Sequence, residues 1–272
     1  MGGANPLLQV RGLTAQFTSA GVTSLVVKGI SFDIAAGEAV GFVGESGCGK
    51  SVTARALMRL APEGSSVEWG GTVHFRGQDI LQLKESAMRD LRGRRIAMVF
   101  QDPMTSLNPV MTVGAQIDDM VRRHTGGSAK AARRRTVELL GLVGIRDPGH
   151  RADDYPHQFS GGMRQRVLIA IAVSCAPDLL IADEPTTALD VTVQAQILRL
   201  LMRLRQELGM ALMLITHDFG VIAGMVERVH VMLGGEIVES GAVDAIFANP
   251  LHAYTRALLD AVPRLEIAGP AA

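Results

Sequence analysis

One glycine-rich stretch near the N-terminus constrains the fold of this chain more than any other feature. Its residues are, in order, Gly44, Glu45, Ser46, Gly47, Cys48, Gly49, Lys50 and Ser51. An apolar run at residues 39–43 precedes this stretch, and residues 51–58 have a composition compatible with a helix. The order strand, loop, helix is the context in which the pattern G-x-x-x-x-G-K-[ST] indicates phosphate binding.

This phosphate loop, residues 44–51, has a simple chemical logic. Its glycines let the backbone N–H groups turn inward, because no Cβ atom obstructs a bound phosphate. The start of the following helix adds free N–H donors and a positive dipole. We expect Lys50 to reach the β- and γ-phosphates of a nucleotide and the Ser51 hydroxyl to bind Mg²⁺. An ordinary glycine-rich turn is the alternative, and it would not require the flanking strand and helix.

Composition excludes several classes of partner. The 27 Lys and Arg residues balance 27 Asp and Glu residues, so the net charge indicates neither nucleic acid nor an anionic membrane surface. The two cysteines, Cys48 and Cys175, predict no disulfide framework and are consistent with a reducing cytosol. We expect no secretory signal at the N-terminus. The most apolar run, residues 167–176, is too short to span a bilayer.

The first part of the chain predicts short strands at residues 7–10, 25–27 and 30–34, separated by glycine-containing turns. Phe17 lies in this region and leaves two interpretations open. Its ring could pack within a half-buried strand, or it could form a stacking platform for an adenine base.

The rest of the chain predicts an α/β architecture. Residues 102–172 have helical periodicity, whereas the apolar run at 178–183 is typical of a strand buried in a parallel sheet. We therefore predict a single domain over residues 1–272. Its parts are an α/β core at 1–101 and 173–246, an inserted helical subdomain at 102–172 and a short helical tail at 247–272.

Two acidic residues, Asp183 and Glu184, end the predicted buried strand. The carboxyl ends of strands are where α/β sheets present ligand groups. A carboxylate at Asp183 would complete the magnesium site that Ser51 begins, and Glu184 could deprotonate an attacking water. A pair of acids that only caps a turn is the alternative, but four apolar residues precede this pair.

Three further patterns accompany the phosphate loop. They are Ser160-Gly161-Gly162-Met163-Arg164-Gln165-Arg166, Ala188-Leu189-Asp190 and Ile215-Thr216-His217-Asp218. With the loop and the Asp183-Glu184 pair, they make nearly the whole chain resemble the ATP-binding subunit of an ATP-binding cassette (ABC) transporter. The resemblance implies a RecA-like P-loop NTPase core, an N-terminal antiparallel β subdomain and the inserted helical subdomain. It also implies hydrolysis of ATP to ADP and phosphate, coupled to solute import.

The resemblance assigns expected roles to individual positions. The implied catalytic residues are Lys50, Gln101, Glu184 and His217. The implied magnesium ligands are Ser51, Gln101 and Asp183. The implied ATP-binding residues are Phe17, Gly44, Glu45, Ser46, Gly47, Cys48, Gly49, Lys50, Ser51, Val52, Gln101, Asp183, Ser160, Gly161, Gly162 and Asp190.

Met163 marks one departure from the general family pattern, which has Gln at that position. A signature beginning Ser-Gly-Gly-Met is similar to the oligopeptide, dipeptide and nickel importer branch, as are residues 101–109 and 249–259. Peptide importers of this branch often carry cysteines that hold an iron–sulfur cluster. No cysteine follows Cys175, so we expect no cluster. A nickel or metallophore importer remains an alternative to a peptide importer.

The resemblance also implies partners. A second ABC ATPase chain, a paralogue or a second copy in isolation, would close Ser160 to Gly162 over ATP. Two transmembrane permease subunits and, indirectly, an extracytoplasmic solute-binding protein would complete a complex at the cytoplasmic face of the inner membrane. A soluble ABC ATPase acting in DNA repair or on the ribosome is a rival, although neither a basic net charge nor long insertions are present. A regulatory module without turnover is disfavoured by Glu184 and His217.

Overall fold

The computed structural model describes residues 6–19, 21–61, 66–187 and 189–261, and within them the chain forms two sheets. The first sheet is antiparallel, with strand order β2-β1-β4-β5. Its strands are β1 (Leu8–Ser19), β2 (Val22–Ile34), β4 (Ser66–Phe75) and β5 (Gln78–Asp79).

The second sheet has the order β10-β9-β3-β8-β7-β6 and is parallel except for β10, which pairs antiparallel with β9. Its strands are β3 (Ala39–Val43), β6 (Ile96–Val99), β7 (Leu179–Asp183), β8 (Ala211–Thr216), β9 (Arg228–Leu233) and β10 (Glu236–Ala242). The two-residue turn between β9 and β10 is Gly234-Gly235, a pair that suits a tight hairpin.

Helices cover the parallel sheet, and five of them lie between β6 and β7 along the chain. Before these come α1 (Lys50–Leu57) and α2 (Glu85–Leu91). The five are α3 (Pro103–Ser106), α4 (Val113–Thr125), α5 (Ala129–Leu142), α6 (Pro148–Arg151) and α7 (Gly161–Val173). The remaining helices are α8 (Val191–Leu208), α9 (Phe219–Ile222), α10 (Val243–Ala248) and α11 (Ala253–Asp260). Among the described residues, none of these helices combines the length and apolar composition needed to cross a membrane.

Two apolar clusters form the core on opposite faces of the parallel sheet. Strand β3 is buried at every position, and its side chains alternate between the clusters. Val40 and Phe42 pack toward the antiparallel sheet and α1, whereas Ala39 and Val43 pack toward α4, α5, α7 and α8. Burial on both faces explains why the parallel strands are continuous apolar runs in the sequence.

The prediction of separate strands at 25–27 and 30–34 is wrong, because β2 is continuous across them. Gly29 has a φ of 79°, and the register against β1 shifts between the Leu13–Ile30 and Thr14–Lys28 pairs. This bulge bends the strand without ending it. The proposed subdomain boundaries stay a prediction, and residues 262–272 of the proposed tail lie outside the described residues.

Candidate functional site

The phosphate loop connects β3 to α1 by a tight turn. A Cβ atom at Gly44 would lie 2.2 Å from the carbonyl oxygen of Met232, so only glycine fits there. Gly49, at the start of α1, has a φ of 106°, which also favours glycine. These two positions direct the loop around the end of the helix, where its N–H groups are available to an anion.

Lys50 is buried at the first position of α1. Its Nζ donates to the carbonyl oxygens of Gly44 at 2.7 Å and Glu45 at 2.9 Å. The Sγ atom of Cys48 lies 3.6 Å from the same Nζ. These contacts hold the ammonium group of Lys50 against the phosphate loop.

Ser51 and Asp183 meet although 132 residues separate them in the sequence. The Ser51 hydroxyl donates to Oδ1 of Asp183 at 2.8 Å. Burial raises the pKa of the Asp183 carboxyl; the hydrogen bond from Ser51 offsets part of this shift, and the charge of Glu184 adds to it. A partly buried hydroxyl–carboxylate pair of hard oxygen donors fits Mg²⁺. Among the described residues, no group of three or more His, Cys, Asp or Glu side chains forms a separate metal site.

Glu184 lies at the meeting point of three strand ends. Gln101 follows β6, Glu184 follows β7 and His217 follows β8, and these three strands are neighbours in the sheet. Oε2 of Glu184 accepts from Nε2 of Gln101 at 2.8 Å, and Nδ1 of His217 lies 3.4 Å from Oε1. Parallel strands that end at one edge bring these side chains together.

The backbone of Glu184 is unusual, with a φ of 45°. A residue with a Cβ atom rarely adopts this left-handed conformation, which costs about 1–3 kcal/mol. Its N–H donates to the carbonyl oxygen of Ile215 at 3.0 Å, and the Thr187 hydroxyl donates to its Oε2 at 3.0 Å. These contacts hold the carboxylate at the sheet edge.

A cavity of about 410 Å³ unites eight of the site residues that the sequence predicts. Its lining includes Ser46, Gly47, Lys50, Ser51, Gln101 and Glu184. Val26 of β2 also contributes to the wall. Sequence reasoning missed Val26 and Thr187, because their roles depend on tertiary contacts. A hydroxyl three residues after Glu184 was the one available signal for Thr187.

Phe17 does not line this cavity. It is half-buried in β1, and its ring meets that of Trp69 edge to face with centroids 6.2 Å apart. This arrangement is the strand packing that the sequence left open beside adenine stacking. An adenine platform at Phe17 stays a prediction.

A second group of predicted site residues does not line this cavity. Its members are Ser160, Gly161, Gly162 and Asp190. Ser160 caps α7, and Asp190 caps α8 by accepting from the N–H of Val193 at 2.9 Å. A Cβ atom at Gly162 would lie 2.5 Å from Cγ1 of Val193, so the two helix starts touch closely. Ala188 lies outside the described residues.

A second cavity, of about 370 Å³, lies between β6 and helices α4 and α7. Its apolar wall includes Met98, Phe100, Met120, Leu168 and Ile171. Arg89, Arg123 and His124 also line it, and burial together with the charge of Arg123 lowers the pKa of His124. We call this cavity the apolar groove.

Two further histidines, His230 and His157, pack against aromatic rings. His230 is buried against Phe42, with ring centroids 4.9 Å apart, and its Nδ1 lies 2.7 Å from the Ser240 hydroxyl. Burial lowers its pKa to about 4. His157 stacks on Tyr155 with ring centroids 5.8 Å apart.

Comparisons with known proteins point to one family. A family model described as ABC transporter matches residues 27–187, and another, the C-terminal region of oligopeptide/dipeptide transporters, matches residues 238–270. The chain is 51% identical over 263 residues to the dipeptide transport ATP-binding protein DppD of Bacillus subtilis, covering 97% of this chain and 78% of that protein. It is 50% identical over 263 residues to OppD, the oligopeptide transport ATP-binding protein of the same organism, covering 97% and 74%.

Solved structures agree with these sequence matches. The ATP-binding cassette MJ0796, in a dimeric post-hydrolysis state with ADP and Pi, superposes with a TM-score of 0.75 at 27% identity, covering 87% of this chain and 98% of that one. The cbiO1 protein of Clostridium perfringens, part of the ABC transporter complex cbiONQ, gives a TM-score of 0.75 at 27% identity, with coverages of 90% and 92%. The predicted fold class is confirmed. The chain belongs to the ATP-binding proteins of ABC transporters, and it is an ATPase coupled to transport.

Proposed function

We propose that this chain hydrolyses ATP at the cavity beside the phosphate loop and thereby energises the import of dipeptides or oligopeptides. The observation that carries the ATPase part is the convergence of Gln101, Thr187 and His217 on the Glu184 carboxylate. The relatives named for dipeptide and oligopeptide transport support the substrate class. The alternatives, a nickel or metallophore importer and a soluble ABC ATPase, have no comparable support.

The phosphate end of ATP would bind at the phosphate loop, residues 44–51, with Val52 adjoining it. Lys50 would exchange its carbonyl partners in the loop for phosphate oxygens, which are stronger acceptors because they are charged. Ser51, Asp183 and Gln101 would hold Mg²⁺, directly or through water. When bound, the ion would neutralise charge that develops on the transferred phosphoryl group.

Glu184 would act as the general base. Its carboxylate would take a proton from the attacking water, while Gln101 and His217 orient that carboxylate from either side. His217 is exposed enough to contact a γ-phosphate as well, with 56% of its side chain accessible. Phe17 would stack on the adenine ring, in keeping with the family resemblance.

The second group of residues would serve a different ATP molecule. Ser160, Gly161 and Gly162 present a capped helix start, and free N–H groups there favour an anion. In a face-to-face pair of ATPase chains, this helix start and Asp190 would close on the ATP held by the partner chain. The dimeric state of the related cassette MJ0796 supports this assembly. The partner would be a paralogue, or a second copy when the chain is isolated.

The apolar groove would receive a short helix from one of the two transmembrane permease subunits. Its wall is apolar, and Arg89 and Arg123 would favour an acidic residue on that helix. Contact with the permease would keep the chain at the cytoplasmic face of the inner membrane. An extracytoplasmic solute-binding protein would deliver the peptide without touching this chain, and no nucleic acid is involved.

Substitution of the proposed base tests the ATPase reaction. We expect Glu184→Gln to lower the rate of phosphate release at least about 100-fold while ATP binding persists, because an amide cannot take a proton from water. Phosphate release and ATP binding would be measured on the same protein. Glu207→Gln, an exposed acid near the end of α8, is the matched control. Unchanged turnover in Glu184→Gln would refute the assignment of the base.

Uptake experiments test the substrate class. Cells that lack this chain should lose uptake of labelled dipeptides or oligopeptides and regain it when the chain, but not its Glu184→Gln variant, is restored. Loss of labelled nickel uptake with normal peptide uptake would favour the metal importer. Normal uptake of both solutes would favour a function outside import.

A further inference from the structure

The last described helix touches the phosphate loop. Tyr254, in the first turn of α11, accepts a hydrogen bond on its hydroxyl from the backbone N–H of Glu45 at 2.8 Å. These residues are 209 positions apart in the sequence. The contact therefore depends entirely on how the C-terminal segment folds back over the parallel sheet.

The peptide unit that Tyr254 contacts is the one that also holds Lys50. It joins Gly44 to Glu45: its N–H donates to Tyr254, and its carbonyl oxygen accepts from Lys50 Nζ at 2.7 Å. A peptide unit is planar, and its N–H and C=O point in opposite directions. Tyr254 and Lys50 thus fix the rotation of one plane from its two sides. Without the hydroxyl, only the lysine side would be restrained.

The position of Tyr254 is itself well fixed. Glu239 of β10 is buried and accepts from the N–H groups of Leu251 at 2.7 Å and His252 at 3.0 Å, just before α11. Burial disfavours the charged form of Glu239, but the hydrogen bonds that its carboxylate accepts outweigh this effect and lower the pKa of Glu239. His252 caps the helix by accepting from the N–H of Tyr254 at 3.2 Å.

A second contact anchors the same segment independently of Tyr254. Phe247 of α10 meets Phe219 of α9 edge to face, with ring centroids 5.6 Å apart. The Tyr254 ring is half-buried against the core cluster on the helical side of the parallel sheet. Removal of the hydroxyl alone would leave the carboxylate anchor, the aromatic contact and the ring packing in place.

We infer that Tyr254 is a positioning residue that holds the phosphate loop ready for ATP by binding the backbone N–H of Glu45. It touches neither phosphate nor Mg²⁺ and acts through the Gly44–Glu45 peptide unit. The inference rests on the proposed function of the loop as the ATP site. It gives the C-terminal segment a role in nucleotide affinity.

The first test is Tyr254→Phe, which removes only the hydroxyl. We expect the dissociation constant and the KM for ATP to rise about 3- to 10-fold, the usual consequence of losing one such hydrogen bond, with kcat unchanged at saturating ATP. The nucleotide-free Tm should stay within about 2 °C of the unsubstituted value. Tyr155→Phe, the same change at an exposed position, is the control and should alter neither constant.

The second test is Glu45→Pro, which removes the donor. If Tyr254 acts through that N–H, adding Tyr254→Phe to the proline variant should weaken ATP binding no further. An unchanged ATP dissociation constant in Tyr254→Phe, or an equal weakening in both backgrounds, would overturn the inference. ATP binding is measured directly, so the test of Tyr254 does not depend on hydrolysis. Absence of hydrolysis in the unsubstituted chain would refute the proposed ATPase function, whereas the ATP dissociation constants alone decide the role of Tyr254.

Discussion

At the scale of single residues, the site is held in a conformation that ordinary packing would not favour. Glu184 adopts a left-handed backbone conformation, and Asp183 carries a carboxylate that burial makes harder to ionise. Such features cluster where a site must be ready before its ligand arrives. Asp183 is the last residue of β7 and Glu184 follows it, so both unfavourable features lie at one strand end.

The raised pKa of Asp183 predicts that its carboxylate lowers the stability of the folded chain while it serves the proposed magnesium site. An acid whose pKa is raised by folding destabilises the folded chain when ionised, and this cost disappears as pH falls below its usual value of 3.8. We expect Asp183→Asn to raise the nucleotide-free Tm at pH 7.5 by about 2–4 °C, or about 1 kcal/mol. The same variant should lose the Mg²⁺-dependent part of ATP stabilisation.

Thermal unfolding with ATP, with and without Mg²⁺, measures both effects. Asp119→Asn, at an exposed position of α4, is the matched control and should change neither. A lower nucleotide-free Tm in Asp183→Asn, at neutral pH, would contradict the burial argument.

At the scale of elements, prediction from sequence succeeded where signals are local. The phosphate loop and its neighbours, β3 and α1, follow from a short apolar run, three glycines and a helix start. The end of β7 followed similarly from one continuous apolar run. Contacts that cross the molecule had no such signal: Val26 at the cavity wall and Tyr254 at the loop both arrive from distant elements.

Packing between the two sheets predicts a pH dependence of stability. His230 of β9 lies against Phe32 and Phe42, its Nε2 has no hydrogen-bond partner among the described residues, and its pKa is lowered to about 4. A base whose pKa is depressed by folding loses its contribution to stability as pH falls from its usual 6.5 toward that value. We therefore expect the free energy of unfolding to fall between pH 6.5 and about 4.

Denaturant unfolding across this range would measure the effect. In His230→Gln the decline should be smaller, because a neutral amide does not titrate there. His150→Gln, at an exposed position of α6, should retain the full decline. Identical profiles for His230→Gln and the unsubstituted chain would show that other groups cause the pH dependence.

At the scale of the whole molecule, the residues proposed to be catalytic in one chain would form half of a shared site. Lys50 lines the cavity, whereas Ser160 is exposed at the start of α7 and lies outside the described cavity wall. The residue patterns alone indicate both halves, whereas their division between two chains follows only from the family resemblance, because the facing surface would exist only in a pair of chains. The paired arrangement is therefore tested by mixing variants.

We expect Lys50→Ala and Ser160→Arg each to abolish hydrolysis in the isolated chain when it pairs with itself. An equal mixture should regain at most about one quarter of the unsubstituted activity, because half of randomly formed pairs contain one intact composite site of two. Phosphate release and ATP-dependent association, by light scattering, would be measured together. A mixture that associates with ATP but regains no activity would contradict a shared site.

Two consecutive residues face different cavities. Phe100 lines the apolar groove, and Gln101 lines the cavity beside the phosphate loop, where its Nε2 donates to Glu184. A ligand that moves Phe100 would also displace Gln101, since one peptide unit joins them. If a ligand in the groove changes the affinity for ATP by some factor, ATP must change the affinity for that ligand by the same factor. Coupling between the groove and the cavity beside the phosphate loop would therefore act in both directions through the peptide unit that joins Phe100 to Gln101.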